Sequence, residues 1–193
     1  QRISRVTWDH EFLGQFGANG SGDGQFVWPR SLALDQAGNV YASDDYLHRI
    51  SVFDSEGGFL SKWGEAGSGD GQLNGPSGIA FDSNDNLFVV DSQNGRIQEF
   101  TKEGKFLGKW GEQGTGDGQL NLPWGICLDK EDNVYVADWK NNRVQKFTPD
   151  GNLLVIFQGT DGGVGDLHGP TGVAVDSEGD VYVTDWGNHR LQV

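Results

Sequence analysis

The amino-acid sequence repeats with a period of 47 residues, and this period constrains the fold more than any other feature. The stretch GSGDGQF at 20–26 returns as GSGDGQL at 67–73, as GTGDGQL at 114–120 and, in altered form, as DGGVGDL at 161–167. The same step separates single residues in four further series: Pro29, Pro76, Pro123 and Pro170; Asp35, Asp82, Asp129 and Asp176; Asp44, Asp91, Asp138 and Asp185; and Arg49, Arg96, Arg143 and Arg190. Such regularity without insertions predicts a tandem array of equivalent structural units.

The composition favours an all-β protein. Thirty-one glycines, 35% hydrophobic residues and regularly spaced turn signals are typical of many short strands. No apolar run approaches the roughly 20 residues that a membrane-spanning helix needs. The one cysteine, Cys127, stands where other repeats have Ala33, Ala80 and Ala174. We interpret it as a small buried residue rather than a nucleophile, and it leaves the redox compartment open.

The net charge of −14 argues against two classes of partner. Nucleic acids and anionic membranes are bound through clustered Lys and Arg, and only 14 such residues are spread over the chain. We therefore expect neither nucleic-acid binding nor membrane insertion. An extracellular or cell-surface location is expected ahead of a cytoplasmic one.

One repeat contains four strand-like segments. Residues 79–81 and 87–90 are almost continuously apolar, whereas RIQEF and KFLGKW mix polar and apolar positions. Small residues such as Gly78 and Gly125 recur in the first segment, and bulky ones such as Trp63 and Trp110 recur in the last. Four-stranded sheets that are narrow inside and wide outside pack around an axis, which predicts a β-propeller.

Three stretches carry a resemblance to a known family. VVDSQNGRIQEF (89–100), VADWKNNRVQKF (136–147) and VTDWGNHRLQV (183–193), each preceded by P-x-G-[IV]-[AC]-x-D, resemble NHL repeats. The resemblance covers the whole chain and implies a six-bladed propeller of which this chain is an arc. About two further repeats are then expected in the parent protein.

The predicted architecture is one all-β NHL-type propeller domain spanning residues 1–193, with about four blade equivalents. It divides into a partial blade 1–25, blades 26–72, 73–119 and 120–166, and a partial blade 167–193. The absence of methionine and the mid-repeat ends predict a fragment. Its exposed ends are expected to associate with further repeats or other copies. Closure of both ends into a four-bladed ring is the alternative.

Two repeated polar elements are interpreted as structural. Asp138 ends one strand and Arg143 begins the next, so they should pair across the hairpin, with Asn141 or Asn142 supporting the turn. The first copy, DDYLHR, lacks the asparagine. The GSGDGQF stretch is interpreted as a connector between blades, because no helix follows it as a phosphate loop requires. The aspartates of its three good copies are predicted to hydrogen-bond the loop backbone: Asp23, Asp70 and Asp117.

Metal binding is weighed against turn formation. The aspartates at 35, 82, 129 and 176 lack the EF-hand spacing, so we interpret them as turn formers. His48 and His189 share one repeat position, and the family resemblance includes amidating lyases whose zinc is held by histidines from separate blades. We predict no cofactor and no metal ligands, with weak calcium or zinc binding left open. The sequence contains no G-x-S-x-G element, so it does not indicate a hydrolase.

The residues that break the repeat pattern concentrate in two loops of each unit. The loop between blades and the loop between the second and third strands should emerge on one face of the propeller. We call the departing residues on this face the aromatic face: Trp28, Arg30, Tyr46, His48, Trp124, Trp139, Trp186 and His189. Exposed aromatic rings are enriched where proteins bind partners. The alternative is that each tryptophan closes a gap over a neighbouring blade.

The sequence therefore predicts a non-enzymatic binding or scaffold module. Its aromatic face is expected to bind a protein, a peptide or a glycan. The alternative function is a metal-dependent propeller enzyme of the lyase or lactonase type, with its site near the central axis.

Overall fold

The computed structural model describes residues 1–159 and 165–193 and is built almost entirely of short strands. Residues 161–164 of the fourth connector copy lie outside the described residues. The chain begins with a hairpin of β1 (Ile3–Val6) and β2 (Phe12–Phe16), followed by a short parallel pair of β3 (Ala18–Asn19) and β4 (Gln25–Phe26). Three four-stranded blades come next: blade 1 contains β5 (Pro29–Leu34), β6 (Val40–Asp44), β7 (Arg49–Phe53) and β8 (Phe59–Trp63); blade 2 contains β9 (Pro76–Phe81), β10 (Asn86–Asp91), β11 (Arg96–Thr101) and β12 (Phe106–Trp110); and blade 3 contains β13 (Pro123–Leu128), β14 (Val134–Asp138), β15 (Arg143–Phe147) and β16 (Leu153–Phe157). A C-terminal sheet follows, with β17 (Pro170–Val175), β18 (Val181–Asp185) and β19 (Arg190–Gln192).

Each blade is an antiparallel meander, as the repeat predicted. Strands pair in sequence order within every sheet, and the equivalent pairs Asp91↔Arg96, Asp138↔Arg143 and Asp185↔Arg190 close the hairpin between the second and third strands. In three copies that hairpin turns through a short 3-10 segment, at Ser92–Asn94, Trp139–Asn141 and Trp186–Asn188. Across residues 1–159 and 165–193, no helix is long and apolar enough to cross a membrane.

The hydrophobic core lies between consecutive sheets rather than within one. Between blades 1 and 2, Ile50 and Val52 of β7 pack against Ile79, Val89 and Phe100 of blade 2. The same arrangement recurs between blades 2 and 3, and between blade 3 and the C-terminal sheet. The expected propeller architecture of four-stranded blades is therefore confirmed.

The inner strands approach one another closely because they carry glycine. A Cβ added to Gly78 would lie 2.6 Å from the carbonyl oxygen of Trp124, and one added to Gly125 would lie 2.7 Å from that of Thr171. Outer strands instead insert large rings into the neighbouring blade, as where Trp63 packs 4.9 Å from Phe100. The predicted taper from small inner to bulky outer residues is confirmed.

The repeated aspartate and arginine form a side-chain staple in the hairpins of blade 2, blade 3 and the C-terminal sheet. In blade 3, Arg143 Nε donates to Asp138 Oδ2 at 2.8 Å, and the amide of Asn141 donates to the same oxygen at 2.8 Å. Asn142 does something different: it adopts a left-handed conformation, with φ of 54°, and its Oδ1 accepts the N–H of Gly169 in the next repeat at 2.8 Å. Both asparagines therefore support the turn, one within the blade and one between blades.

The connector loops are held by the same arginines. Arg96 donates through Nη1 and Nη2 to the carbonyl oxygens of Ser68, Gly69 and Gln72, at 2.9, 2.7 and 2.9 Å. The loop backbone is also held by Gln72, whose Oε1 accepts the N–H of Gly69 at 3.0 Å. The arginine of each blade thus hydrogen-bonds the connector that precedes that blade.

The prediction that aspartates hold the connector backbone is wrong. Asp23 pairs with Lys62 at 2.7 Å, Asp70 pairs with Lys109, and Asp117 lies 3.7 Å from Arg143. The glutamine two residues further on takes the predicted role in each copy: Gln25, Gln72 and Gln119. The longer amide side chain curls back to the glycine N–H, whereas the aspartates point outwards to cations.

Blade 1 departs from the staple where its sequence departs from the pattern. Leu47 replaces the asparagine, and Ser51 stands at the position of Gln98 and Gln145. Asp44 accepts the backbone N–H of Val27 at 2.7 Å, as the aspartates of the other repeats accept that of the equivalent connector residue. In place of the side-chain donors of the staple, it accepts the backbone N–H groups of Trp28 and Leu47. Among the described residues, buried Arg49 Nε and Ser51 Oγ have no hydrogen-bond partner.

On the face opposite the connectors, the repeated aspartates at 35, 82, 129 and 176 form turns as expected. Asp82 Oδ1 accepts the N–H of Asn86 at 2.7 Å, and Asp129 Oδ1 accepts that of Asn133 at 2.9 Å. Neighbouring turns are joined by Ser83, which donates through its N–H and Oγ to Asp132 at 3.0 and 2.6 Å. These carboxylates are occupied by turn and blade-to-blade hydrogen bonds.

Candidate functional site

The two loop sets predicted to share a face do lie together. The N–H of Gln93, in the hairpin turn of blade 2, donates to the carbonyl oxygen of Asn74 in the connector at 3.0 Å. Lys140 makes the equivalent bond to Asn121 at 3.1 Å in the next blade. Residues from both loops are therefore neighbours on one surface, which is the aromatic face.

Five members of the aromatic face, three from blade 1 and two from blade 3, form a continuous row of contacts. The Tyr46 and Trp28 rings meet edge to face at 5.8 Å. The Arg30 guanidinium lies 5.8 Å from the Trp28 ring and 5.0 Å from the Trp124 ring. Trp124 in turn meets Trp139 at 5.5 Å, with the two rings nearly perpendicular at 87°. The row joins blade 1 to blade 3 through a single cation.

Arg30 is fixed in this position by a carboxylate. Its Nε and Nη2 both donate to Asp45 Oδ2, at 2.9 and 2.6 Å, while its planar group faces the two indole rings. A guanidinium stacked on aromatic faces retains its hydrogen-bonding edge for such a partner. The Trp124 ring therefore contacts both the Arg30 guanidinium and the Trp139 ring.

Trp186 joins the row across an open cleft. The cleft has a volume of about 540 Å³ and is lined by Trp124, Trp139, Thr171, Gly172, Thr184 and Trp186. The two threonine hydroxyls lie 3.1 Å apart and bond to each other. Trp186 is 63% exposed. The cleft therefore presents indole rings around a floor with few polar groups.

The two histidines of the aromatic face serve the backbone. His48 and His189 have φ of 51° and 53°, the same left-handed position that Gly95 and Asn142 occupy in other blades. His48 Nδ1 accepts the N–H of Gly75 at 3.0 Å, which reproduces the blade-to-blade bond of Asn142. The structure places both histidines outside the row of ring contacts.

Three residues of this surface were missed by the sequence interpretation. Lys140 Nζ lies 4.1 Å from the centroid of the Trp139 ring, and Thr171 and Thr184 form the cleft floor. Thr171 shares its repeat position with Arg30 and Trp124, and this shared position is the signal that could have identified it. Thr184 had no such signal, because its equivalents Ser43, Val90 and Ala137 are buried between blades.

A buried carboxylate lies beneath Trp186. Burial raises the pKa of Asp185, but the backbone N–H of His168 and the side chains of Asn188 and Arg190 donate to it and outweigh burial. The net result is a lowered pKa, so Asp185 is ionised at neutral pH. The carboxylate accepts the hydrogen bonds of the hairpin staple, so we do not count it among the groups that line the cleft.

No group of three or more His, Cys, Asp or Glu side chains in the described parts of the chain is arranged to hold a metal ion. Cys127 is partly buried, and this burial raises the pKa of its thiol to about 12. This environment disfavours the thiolate and agrees with its interpretation as a packing residue.

The fold has solved relatives of several kinds. A catalytically inactive virginiamycin B lyase from Staphylococcus aureus, crystallised with quinupristin, is 17% identical, with a TM-score of 0.72 over 98% of this chain and 58% of that chain. A chain of a nidogen/laminin complex is 21% identical, with a TM-score of 0.71 over 98% and 66%. Hydrazine synthase from Kuenenia stuttgartiensis is 14% identical, with a TM-score of 0.61 over 89% and 51%.

These identities are low, so the likeness shows the fold alone. The chain spans about three fifths of the length of the first of these structures. No curated protein matches the chain significantly in sequence. The NHL repeat model, in contrast, matches residues 73–100, 120–147 and 167–193, which are the hairpin-staple segments of blades 2 and 3 and of the C-terminal sheet. In sequence repeat and in blade architecture, the chain belongs to the NHL-repeat β-propeller family.

Proposed function

We propose that the chain is a non-enzymatic binding module whose aromatic face holds a peptide segment of a protein partner. The observation that carries this proposal is the cleft between Trp124, Trp139 and Trp186, which come from two consecutive repeats. An apolar side chain of the partner enters the cleft, and the row of rings towards Trp28 supports the flanking peptide.

The lining supports an apolar anchor. Indole rings offer large contact area and lose little conformational entropy on binding, because each has two rotatable side-chain bonds. A volume of about 540 Å³ suits one large side chain with part of its backbone. The hydroxyls of Thr171 and Thr184 already bond to each other, so few polar groups need a new partner.

The cleft wall is organised before a ligand arrives. Trp124 is held between the Arg30 guanidinium and the Trp139 ring, and Arg30 is anchored by Asp45. A rigid surface gives up less side-chain entropy on association than a mobile one. The contacts among these residues therefore support binding as well as packing.

A peptide is favoured over a glycan by the chemistry of the lining. Sugar hydroxyls require hydrogen-bonding partners, and an unpaired polar group in a desolvated site is costly. The six lining residues contain no carboxylate and no side-chain amide. A propeller of this fold in the nidogen/laminin complex is found with a protein, which agrees with the same class of partner.

The lyase neighbours do not support the alternative function. Their likeness at 16 and 17% identity extends to the fold only, and the two histidines considered for a metal here serve backbone turns. Among the described residues, no observation of its own therefore supports a metal-dependent reaction.

The test uses a phage-displayed random peptide library panned against the whole chain. We expect enriched peptides with a large apolar residue. Their affinity should fall about thirtyfold or more for the Trp139→Ala/Trp186→Ala double variant, because buried tryptophans dominate binding energies. Fluorescence anisotropy of the labelled peptides gives the dissociation constants.

Trp8→Ala is the matched control. Trp8 is 93% exposed in the N-terminal hairpin and lies outside the aromatic face, so this variant should bind as the wild type does. Peptides that bind the double variant unchanged, or a library that yields no enriched peptide, would refute the proposal. Tryptophan-dependent binding on a glycan array without peptide enrichment would assign the face to carbohydrate instead.

A further inference from the structure

Blade 2 carries small side chains on the aromatic face at positions where the blades beside it carry large ones. Three positions of the repeat hold Gly75, Ser77 and Ser92 in blade 2 but Leu122, Trp124 and Trp139 in blade 3. In blade 1, the second and third of these positions hold Arg30 and Asp45. The difference leaves a pocket of about 360 Å³ over blade 2, lined from blade 1 by Arg30 and Asp45 and from blade 3 by Trp124 and Trp139. Gln93 of blade 2 also lines this space, which we call the blade 2 pocket.

We propose that the blade 2 pocket is a second subsite of the peptide site and accepts a side-chain carboxamide, the group that glutamine carries. This inference rests on the proposed peptide-binding function and names a residue type that the partner presents. The pocket shares Trp124 and Trp139 with the apolar cleft, so the two subsites are adjacent. A residue close to the apolar anchor of the peptide therefore reaches the blade 2 pocket.

Two polar groups converge in the blade 2 pocket beside Gly75. A Cβ added to Gly75 would lie 2.7 Å from Gln93 Nε2 and 2.9 Å from Asp45 Oδ1. The backbone at Gly75 is fixed, since it has φ of 63° and its N–H donates to His48 Nδ1 at 3.0 Å. The missing side chain of Gly75 thus opens a space that a donor and an acceptor face together.

Both groups have hydrogen-bonding capacity that the described residues do not use. Arg30 donates through Nε and Nη2 to Asp45 Oδ2, at 2.9 and 2.6 Å. Within residues 1–159 and 165–193, no hydrogen bond reaches Asp45 Oδ1 or the side-chain amide of Gln93. The backbone N–H of Gln93 is bonded to Asn74, so the turn stays in place when the side chain binds a ligand.

A carboxamide matches this pair better than an apolar group or a cation does. Its NH₂ group donates to Asp45 Oδ1, and its carbonyl oxygen accepts from Gln93 Nε2. An apolar side chain would leave both groups without partners in a desolvated pocket, which is costly. A lysine or arginine of the partner would place a second cation beside Arg30, which already pairs with the same carboxylate.

NMR titration with blocked amino acids tests the subsite without a selected peptide. The probe is N-acetyl-glutamine N-methylamide, and the norleucine and lysine analogues are its apolar and cationic counterparts of similar length. The glutamine probe should shift the Gln93 side-chain amide and the Trp124 indole N–H signals saturably. Its affinity should exceed that of the other two about fivefold or more, the factor that about one net hydrogen bond supplies.

Two variants of the whole chain locate the binding. Ser92→Trp fills the pocket with the residue that stands at this repeat position in Trp139 and Trp186, so the fold accommodates it and saturable binding should be lost. Gln93→Ala should weaken the glutamine probe about fivefold and remove its preference over norleucine. Gln36→Ala is the matched control, because it removes a glutamine amide that bonds the Ser83 carbonyl oxygen on the opposite face. It should bind as the wild type does.

Equal binding of the three probes, tighter binding of the lysine probe, or no shift of either signal would overturn the proposal. So would unchanged binding by Ser92→Trp, with circular dichroism showing that its strands are retained. Trp186→Ala separates the subsite from the apolar cleft, because Trp186 lines the cleft and not the blade 2 pocket. This variant should weaken the selected peptides and leave the glutamine probe unaffected. A library without enriched peptides refutes the peptide function, whereas enriched peptides without a carboxamide residue refute the subsite alone.

Discussion

At the scale of single residues, the hairpin staple connects local turn chemistry to the packing of whole blades. Arg143 is buried, bonds Asp138, and at the same time holds the connector through the carbonyl oxygens of Gly116 and Gln119. Burial of two charges is favourable only when both are fully hydrogen-bonded. The staple meets this condition with Asn141 and Gln145, which donate to the same carboxylate.

Arg143→Ala should therefore destabilise the chain by about 3–5 kcal/mol, because it leaves Asp138 buried without its cation. Urea unfolding followed by circular dichroism gives the free energy of unfolding. Lys130→Ala is the control, since Lys130 and Glu131 form an exposed pair at 3.8 Å that is expected to contribute about 0–1 kcal/mol. A loss for Arg143→Ala no larger than that of the control would contradict the role given to the staple.

The dependence of stability on pH can also be traced to a single residue, Asp129. Burial raises the pKa of Asp129, but hydrogen bonds from Asn133 and Lys146 outweigh it and hold this pKa below its ordinary value of 3.8. A depressed folded-state pKa contributes stability above the unfolded value, and this contribution is lost as pH falls through the folded pKa. Asp129 therefore stabilises the fold at neutral pH and ceases to do so in acid below 3.8.

Asp129→Asn should lower the free energy of unfolding at pH 7 and have a smaller effect at about pH 3, where the wild-type carboxylate is being protonated. Urea titrations of both proteins at the two pH values measure the difference. An equal effect of the substitution at both pH values would show that the ionised form of Asp129 contributes nothing.

At the scale of elements, the inner strands are limited by how closely their backbones approach. The missing Cβ of Gly125 leaves room for the Thr171 carbonyl oxygen of the next inner strand, at 2.7 Å from where that atom would stand. The substitution Gly125→Ala requires the two strands to separate, and overpacking of this kind costs about 1–3 kcal/mol.

Gly108→Ala provides a matched comparison on an outer strand. A Cβ there would meet its nearest neighbour, Glu99 Oε2, at 4.0 Å, so we expect little change in thermal unfolding temperature. Equal melting temperatures for Gly125→Ala and Gly108→Ala would mean that inner-strand contact does not set the repeat geometry.

The secondary-structure elements and their order were the features of this molecule that could best be predicted from its sequence. The strands, their order and the Asp–Arg pairing follow from the 47-residue period, because every unit repeats the same alternation of strand and turn. The connector chemistry was not predictable, since aspartate and glutamine both accept N–H groups. Only the path of the loop shows that Gln72 reaches Gly69 while Asp70 reaches Lys109.

At the scale of the whole molecule, the aromatic face depends on the curvature of the array. The sequence placed its tryptophans on one face, because the two variable loops emerge on the same side. It did not predict that Arg30 of blade 1 reaches Trp124 of blade 3, since that contact is set by the rotation between consecutive blades. The open cleft beside Trp186 depends on the same rotation.

Hydrogen–deuterium exchange tests the proposal that the cleft among Trp124, Trp139 and Trp186 is the binding site. The wild-type chain is measured with and without a peptide selected from the library. We expect protection in the segments around the cleft, at 121–124, 139–142, 168–172 and 184–188. Protection at the acidic turns 82–86 and 129–133 instead, or no protection in any segment, would contradict it.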